Sequence, residues 1–392
     1  ALRAANLSAA SEDPAGGVIR RREGSNEPNG VLEESAAQAL ILPRIFALSE
    51  EELLRRTRRT IDLYLSHGIT TIQDGAAMPS DVIALASAAE SAPFVADIAA
   101  YVTADRLSAD ELDSFSADPG YENGFRVAGA KLFLDGSVQG KTAWLSEPYK
   151  EGLPGLPPDY RGYARVAPDE YAHLAATLLA NRVPILVHAN GDAAIDTMLD
   201  GIEAAEPAAD HRSVIIHSQV MRKDQVLRAA ELGAVPSFFS AHPYFWGDWH
   251  RQILGETRAQ NISPTRWVVD AGLNWTIHND APIVPPDIMR LVDITVNRKT
   301  RSGYTLGAHQ RARVTEALHA VTLGAAWQYR EEGRKGSIET GKQADLVILA
   351  ANPLTAAPEE LANIGIVETF ARGKSVYSAT SSTPDSANAS IS

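Results

Sequence analysis

Four residues that can bind a divalent metal stand within or just after short apolar runs of this sequence. Their side chains offer an amine, two imidazoles and a carboxylate, and they are Lys131, His188, His217 and Asp280. The chain has no cysteine, so a metal would have to be held by nitrogen and oxygen ligands such as these. Their types and spacing therefore indicate metal-dependent chemistry.

Each of these residues has an ordinary explanation when it is taken alone. A single histidine after a strand, such as His188 or His217, is commonly a hydrogen-bonding loop residue. Lys131 lies in an apolar run, so its amine must reach solvent, pair with a carboxylate such as Asp135, or be carbamylated to a carboxylate-like ligand. Taken together they favour one metal site, because the carboxyl ends of parallel strands converge even when about 30 to 90 residues separate them.

The elements that must position these residues alternate along the chain. A capping pattern at Ser49 and Glu52 starts a helix that stops at Gly68, and a short strand follows it. We predict seven strands at residues 68–72, 94–102, 127–134, 183–187, 213–216, 235–239 and 274–277. Helices are predicted between them at 80–91, 108–115, 168–181, 192–206, 222–232 and 264–271, and after them at 286–296 and 315–330. This alternation predicts an α/β fold with a parallel sheet, either a TIM-type barrel or a doubly wound sheet.

Composition excludes several classes of protein. The 36 Lys and Arg residues against 49 Asp and Glu give a net charge of −13, which argues against a nucleic-acid partner. No window of the sequence is apolar enough for a membrane-spanning helix, and no signal peptide is present at the N-terminus. We therefore expect a soluble protein that acts on a small molecule, with no membrane partner; its compartment stays open, with the cytoplasm favoured.

The alternation of strands and helices ends after the last predicted helix. Turns and short strands at 336–349 and 366–377 predict a small all-β appendage. We divide the chain into an N-terminal segment (1–48), a barrel (49–330), the C-terminal part of a small β-sandwich (331–377) and a disordered tail (378–392).

Five motifs, in order, resemble the YtcJ-like branch of the metal-dependent amidohydrolases, a group that includes N-substituted formamide deformylases. They are AKLFLDGS at 130–137, VHANGD at 187–192, HSQ at 217–219, SAHPYFWGD at 240–248 and HNDAP at 278–282. A further run, KGSIETGKQADL at 335–346, is similar to the return into the small β-sandwich of that superfamily. The resemblance covers residues 30 to 377.

The resemblance implies a distorted (β/α)8 barrel with a metal site at the strand ends. Lys131 would be a carbamylated ligand, with His188 and His217 as the ligands from the fifth and sixth strands. Asp280 would be both a metal ligand and the catalytic residue that orients and deprotonates the attacking water. The family implies one or two divalent metals, with zinc expected, and hydrolysis of a C–N bond in a small amide-type substrate.

Three further residues would line the substrate pocket in this interpretation: His242, Trp246 and His278. Ordinary loop packing explains these three side chains about as well. By analogy with family members, the protein would be a homodimer.

The resemblance is incomplete at its N-terminal end. The first strand of the family carries His-x-His, and none of the ten histidines here forms that motif. The strand itself is not evident either, and the strands of the β-sandwich have no N-terminal partners in the sequence. We therefore expect this chain to be the C-terminal part of a longer polypeptide.

Two other functions remain compatible with the motifs. One is a non-catalytic barrel that binds a ligand after losing its metal site, although retention of Lys131, His188, His217 and Asp280 argues against it. The other is a different hydrolysis on the same scaffold, such as deamination or ester cleavage.

Overall fold

A two-stranded antiparallel hairpin precedes the main sheet. The protein was analysed as a computed structural model that describes residues 2, 5–40, 49–150 and 155–379. The hairpin consists of β1 (Gly17–Arg21) and β2 (Pro28–Glu34), and helix α1 (Ser35–Leu40) follows it. Arg20 Nε donates to the Glu33 carboxylate across the two strands at 2.6 Å. The sequence predicts no strands in this N-terminal segment, because its charged residues hide the alternation of apolar and polar residues that is typical of a strand pair.

The central element is a parallel sheet of seven strands whose spatial order is the sequence order. Its strands and the helices around them are α2 (Glu50–Ser66), β3 (Thr71–Ala77), α3 (Pro79–Ser91), β4 (Asp97–Thr103), α4 (Ala109–Asp113), β5 (Phe125–Phe133), α5 (Pro168–Ala180), β6 (Ile185–Ala189), α6 (Asp192–Ala205), β7 (Val214–His217), α7 (Lys223–Leu232), β8 (Val235–Phe239), α8 (His242–Leu254), α9 (Glu256–Ala259), α10 (Thr265–Asp270), β9 (Thr276–His278), α11 (Ile288–Asn297), α12 (Val314–Ala320) and α13 (Leu323–Gln328). The curled parallel sheet confirms the predicted barrel-type α/β fold.

Short apolar runs form these strands because helices cover the outer face of the sheet. All residues of β4, β7 and β8 are buried, as expected for strands enclosed on both faces. Within the described ranges, β3 and β9 are the two edge strands and do not pair with each other. The predicted capping of α2 is confirmed, since Ser49 Oγ accepts from the backbone N–H of Glu52 at 3.3 Å.

Two predicted boundaries differ clearly from the structure, and one helix was not predicted. The strand placed at 68–72 is β3, which begins later because Gly68 has a φ of +79° and Ile69 N–H still donates to the Tyr64 carbonyl of α2. The helix placed at 315–330 is divided into α12 and α13 at Thr322, whose ψ of −95° is not helical. The sequence predicts no helix directly after β8, where the structure forms the 13-residue helix α8.

The C-terminal appendage is a three-stranded antiparallel sheet of β10 (Leu346–Leu349), β11 (Ile366–Ala371) and β12 (Lys374–Ser378). Thr369 Oγ1 donates to the Leu65 carbonyl at 2.7 Å and fastens this sheet to α2. Ser378, placed at the start of the predicted tail, is the last residue of β12, and residues 380–392 lie outside the described ranges. The division of the chain into domains stays a prediction. No described helix is both long and apolar enough to cross a bilayer.

Candidate metal centre

The polar side chains at the carboxyl ends of four strands meet in one cavity. Lys131 lies in β5, His188 in β6, His217 at the end of β7 and His278 at the end of β9, and Asp280 follows two residues later. All five line a cavity of about 1010 Å³. The structure therefore brings the four predicted ligands together, and it adds His278 to the same wall.

The ring of His188 is oriented by the loop after β5. Its Nε2 lies 3.1 Å from the Gly136 carbonyl oxygen, and the Asn190 side-chain amide donates to the same oxygen at 2.9 Å. Asn190 Nδ2 also lies 3.0 Å from this ring nitrogen, but two oxygen atoms face it as well, the Gly136 carbonyl and an Asp135 carboxylate oxygen at 3.7 Å. We therefore assign the ring hydrogen to Nε2 and the lone pair to Nδ1. That Nδ1 lies 3.1 Å from Nε2 of His217.

The ring of His217 is held on its other side. Its Nδ1 lies 3.1 Å from Nε2 of His278, and Nδ1 of His278 lies 2.9 Å from Ser237 Oγ. His217 has a φ of +78°, a left-handed conformation that is uncommon for a residue with a side chain and tends to occur at functional sites.

These contacts fit a metal site. Two nitrogens bound to one zinc ion at about 2.0–2.1 Å each, in tetrahedral geometry, lie about 3.3 Å apart. The 3.1 Å between His188 Nδ1 and His217 Nε2 is close to that separation. A ligating histidine usually donates its other ring N–H to a carbonyl or another acceptor, and both rings have such a partner. Ligand atoms of His217, His278 and Asp280 also lie within 4.8 Å of one another.

Burial keeps these imidazoles neutral. Loss of solvent lowers the pKa of His188 and His217 well below the usual value, and the nearby Lys131 ammonium lowers both further. Burial also lowers the pKa of His278 to about 3. Neutral imidazole is the form that binds metal, so these rings need not lose a proton at physiological pH.

Lys131 and Asp280 influence each other electrostatically inside the cavity. Burial lowers the pKa of Lys131 to about 7, against the effect of the Asp280 charge, which raises it. Burial likewise raises the pKa of Asp280, and Lys131 opposes that shift. The sequence left open an ion pair between Lys131 and Asp135. The structure shows no ion pair between these two described residues, and the Asp135 carboxylate accepts from backbone N–H groups instead.

Asp135 joins the loops that follow β5 and β6. Its fully buried carboxylate accepts from the backbone N–H groups of Asn190 at 2.9 Å, Gly191 at 2.7 Å and Trp144 at 3.0 Å. Burial raises the pKa of Asp135 to about 8, although these three hydrogen bonds oppose the shift. Sequence reasoning missed this role; the signal was a carboxylate directly after an apolar strand that leads into a glycine.

The other two predicted pocket residues lie behind the histidine cluster. His242 is 1% exposed, with its ring centroid 6.1 Å from that of His217, and Trp246 lies one helical turn along α8. Neither residue is part of the described cavity wall, whereas His278 is. Contact of His242 and Trp246 with substrate therefore stays a prediction.

Two known proteins are similar to this chain over nearly its whole length. The chain is 27% identical over 391 residues to the amidohydrolase YtcJ of Bacillus subtilis, covering 96% of this chain and 71% of that protein. It is 25% identical over 395 residues to the N-substituted formamide deformylase of Arthrobacter pascens, covering 97% and 71%.

Solved structures show the same fold. An uncharacterized metal-dependent hydrolase from Pyrococcus horikoshii superposes with a TM-score of 0.73 at 25% identity, covering 87% of this chain and 68% of that one. These similarities support hydrolysis with a divalent metal as the general activity. A sequence model of the amidohydrolase family matches residues 1–377. The chain therefore belongs to the amidohydrolase family.

Proposed function

We propose that this protein hydrolyses a C–N bond of a small amide-type molecule, using one or two divalent metal ions, with zinc as the expected ion. The observation that carries the proposal is the pair of nitrogen atoms, Nδ1 of His188 and Nε2 of His217, that face each other at 3.1 Å inside the cavity. The similarity to an N-substituted formamide deformylase supports an amide substrate.

The residues divide the chemistry among them. Lys131, His188, His217 and Asp280 would hold a divalent cation, which would supply Lewis-acid activation of water and of the scissile carbonyl. The Asp280 carboxylate accepts a proton from the attacking water and returns it to the leaving nitrogen. Burial raises the pKa of Asp280 in the metal-free protein. His188 and His217 stay neutral and keep their donor atoms oriented.

Lys131 serves as a ligand after carbamylation. The residue is 5% exposed, and burial lowers the pKa of its amine to about 7, so a large fraction of the amine is neutral at physiological pH. The neutral nitrogen attacks carbon dioxide, a new N–C bond forms, and the nitrogen loses one proton to solvent. The product is a carboxylate-like ligand on the β5 side of the cavity.

Bicarbonate is expected to increase zinc uptake by the metal-free protein, and more strongly as pH rises from 6 to 8. The neutral amine of Lys131 predominates above its pKa of about 7, so the reactive form increases in that direction. A carbamate signal in ¹³C NMR with labelled bicarbonate measures the reaction, with Lys131→Arg as the blank. Lys335 is also buried but is ion-paired with Glu331 at 3.0 Å, so Lys335→Arg should keep the signal. Zinc uptake that does not change with bicarbonate at any pH from 6 to 8 would contradict carbamylation.

A substrate panel with elemental analysis tests the proposed function. We expect about one to two zinc ions per chain in protein purified without chelator. N-substituted formamides and other small amides should be cleaved faster than matched esters and aminopurines. The double variant Lys131→Ala, His188→Ala should lose both the metal and the activity. A control with the same residue types at exposed positions, Lys374→Ala, His309→Ala, should keep both.

Other results would overturn the proposal. Preferred ester cleavage or deamination would place a different reaction on this scaffold, and the absence of metal and turnover would favour a non-catalytic binding role. The expected homodimer is a separate prediction, which light scattering coupled to gel filtration tests.

A further inference from the structure

A chain of hydrogen bonds leads from the candidate ligand His217 away from His188. Nδ1 of His217 lies 3.1 Å from Nε2 of His278, whose Nδ1 lies 2.9 Å from Ser237 Oγ. Ser237 and His217 are buried, and all three side chains border the cavity. This chain gives His278 two partners, one at each ring nitrogen.

The direction of these hydrogen bonds is correlated along the chain. A neutral imidazole carries one hydrogen, so each ring donates from one nitrogen and accepts at the other. Because the ring hydrogen of His188 is assigned to Nε2, which faces the oxygens of Gly136 and Asp135, Nδ1 carries a lone pair. His217 then donates to this Nδ1 from Nε2 when no cation is bound. Nδ1 of His217 must then accept from Nε2 of His278, and Nδ1 of His278 must accept from the Ser237 hydroxyl.

Metal binding requires these hydrogen bonds to run in the opposite direction. A cation bound by His188 and His217 needs the lone pair of His217 Nε2, so the ring hydrogen must be on Nδ1. His217 then donates to Nε2 of His278, and His278 donates from Nδ1 to Ser237 Oγ. A hydroxyl can serve as either donor or acceptor, so Ser237 satisfies His278 in both orders, which a backbone carbonyl could not do.

We propose that Ser237, His278 and His217 form a relay that reverses its hydrogen-bond direction when a divalent cation binds, and that His278 is a positioning residue rather than a ligand. The inference rests on the proposed metal-dependent function. On reversal, the Nε2 proton of His217 leaves to water, and the proton between the rings moves from His278 to His217. The hydroxyl proton moves to His278, and water reprotonates Ser237. No net proton is gained or lost, and both rings stay neutral.

Tautomers of the two rings report the relay directly. We would label histidine with ¹⁵N and record two-bond ¹H–¹⁵N correlations before and after adding zinc chloride alone, with no substrate. Zinc should move the hydrogen of both His217 and His278 from Nε2 to Nδ1. A metal-bound shift on a His278 nitrogen, or an unchanged His278 tautomer, would overturn the relay.

Substitutions test the positioning role by zinc affinity in chelator competition. His278→Leu should weaken zinc binding about 10- to 100-fold, the usual effect of removing an outer partner of a metal ligand. His278→Gln should restore most of the affinity, because the Gln side-chain oxygen reaches the position of Nε2 and can accept from His217. A glutamine variant as weak as the leucine variant would overturn the proposal.

Ser237→Ala should weaken zinc binding about tenfold, because Nδ1–H of His278 then lacks an acceptor. The chain offers a matched control in Ser213, whose Oγ lies 2.7 Å from Nδ1 of the buried His211, just before β7 begins. Ser213→Ala removes the same kind of serine–histidine contact, but at the end of β7 that lies away from His217, and it should leave zinc affinity unchanged. Equal zinc affinity for Ser237→Ala and the parent protein would contradict the relay.

The outcomes separate this inference from the proposed function. Tight zinc binding with His278 as a ligand would overturn the relay and leave metal-dependent hydrolysis intact. A relay that reverses with zinc in a protein that cleaves no amide would support the relay and overturn the proposed reaction. Failure to bind zinc would overturn both.

Discussion

Asp280→Asn is expected to lower kcat/KM by about 10²- to 10⁴-fold, the usual contribution of a positioned general base. Asparagine keeps the shape of the side chain, and it tolerates the left-handed backbone at this position, where φ is +53°. The substitution removes the negative charge that takes up the proton. Measurement of kcat and KM at saturating zinc separates this loss from a change in metal content.

The pH profile supplies a second measurement of the same residue. Burial raises the pKa of Asp280 in the metal-free protein, and a bound cation would oppose that shift. Activity should fall at low pH as the Asp280 carboxylate gains a proton, and this acidic limb should disappear in Asp280→Asn.

Asp293→Asn provides the matched control, because this carboxyl group is half-buried in α11, its pKa is also raised by burial, and it is not on the cavity wall. Its kcat/KM should equal that of the parent protein. A loss of less than about tenfold in Asp280→Asn at full zinc occupancy would contradict a general-base role.

Asp135→Ala is expected to lower the free energy of unfolding by about 3 kcal/mol or more, because each buried N–H left without an acceptor costs about 1–3 kcal/mol. Three such groups, from Asn190, Gly191 and Trp144, lose their partner together. The backbone of Gly191 packs closely against the Trp144 carbonyl oxygen, where a Cβ would clash. Urea unfolding followed by circular dichroism measures the difference.

Asp118→Ala is the control for this loss. Its exposed carboxylate accepts from one backbone N–H, that of Val127 at 2.7 Å, and the substitution should cost about 1 kcal/mol or less. Asp135→Asn should fall between the two, because its amide keeps one accepting oxygen and places an NH2 group against donors. Equal stabilities of Asp135→Ala and Asp118→Ala would show that the three-way contact contributes little.

Local patterns were sufficient to predict the sheet and to collect the site residues. Most strands of the parallel sheet are short buried runs between helices, so their type follows from the sequence. The sequential strand order, which distinguishes a barrel from a doubly wound sheet, is seen in the structure. Lys131, His188, His217 and Asp280 share one cavity because their strands are parallel and point the same way.

Features that depend on distant contacts were not predictable in this way. The role of Asp135 depends on backbone groups of two other loops, which no periodicity reveals. His278 was expected to contact substrate, and only the distances show that both of its ring nitrogens are engaged by His217 and Ser237. The hairpin of β1 and β2 carries four charged residues among its twelve, which hides its apolar face.

The strand order of the main sheet has a consequence for folding during synthesis on the ribosome. Because each of the seven strands pairs with its neighbour in the sequence, every strand that emerges can add to an edge that has already formed. The C-terminal sheet of β10, β11 and β12 is attached by contacts between residues far apart in the sequence, because Thr369 contacts Leu65 and Arg372 contacts Asp97. These links join segments about 300 residues apart and form only after residue 372 has been translated, so the nascent sheet must persist without them until then.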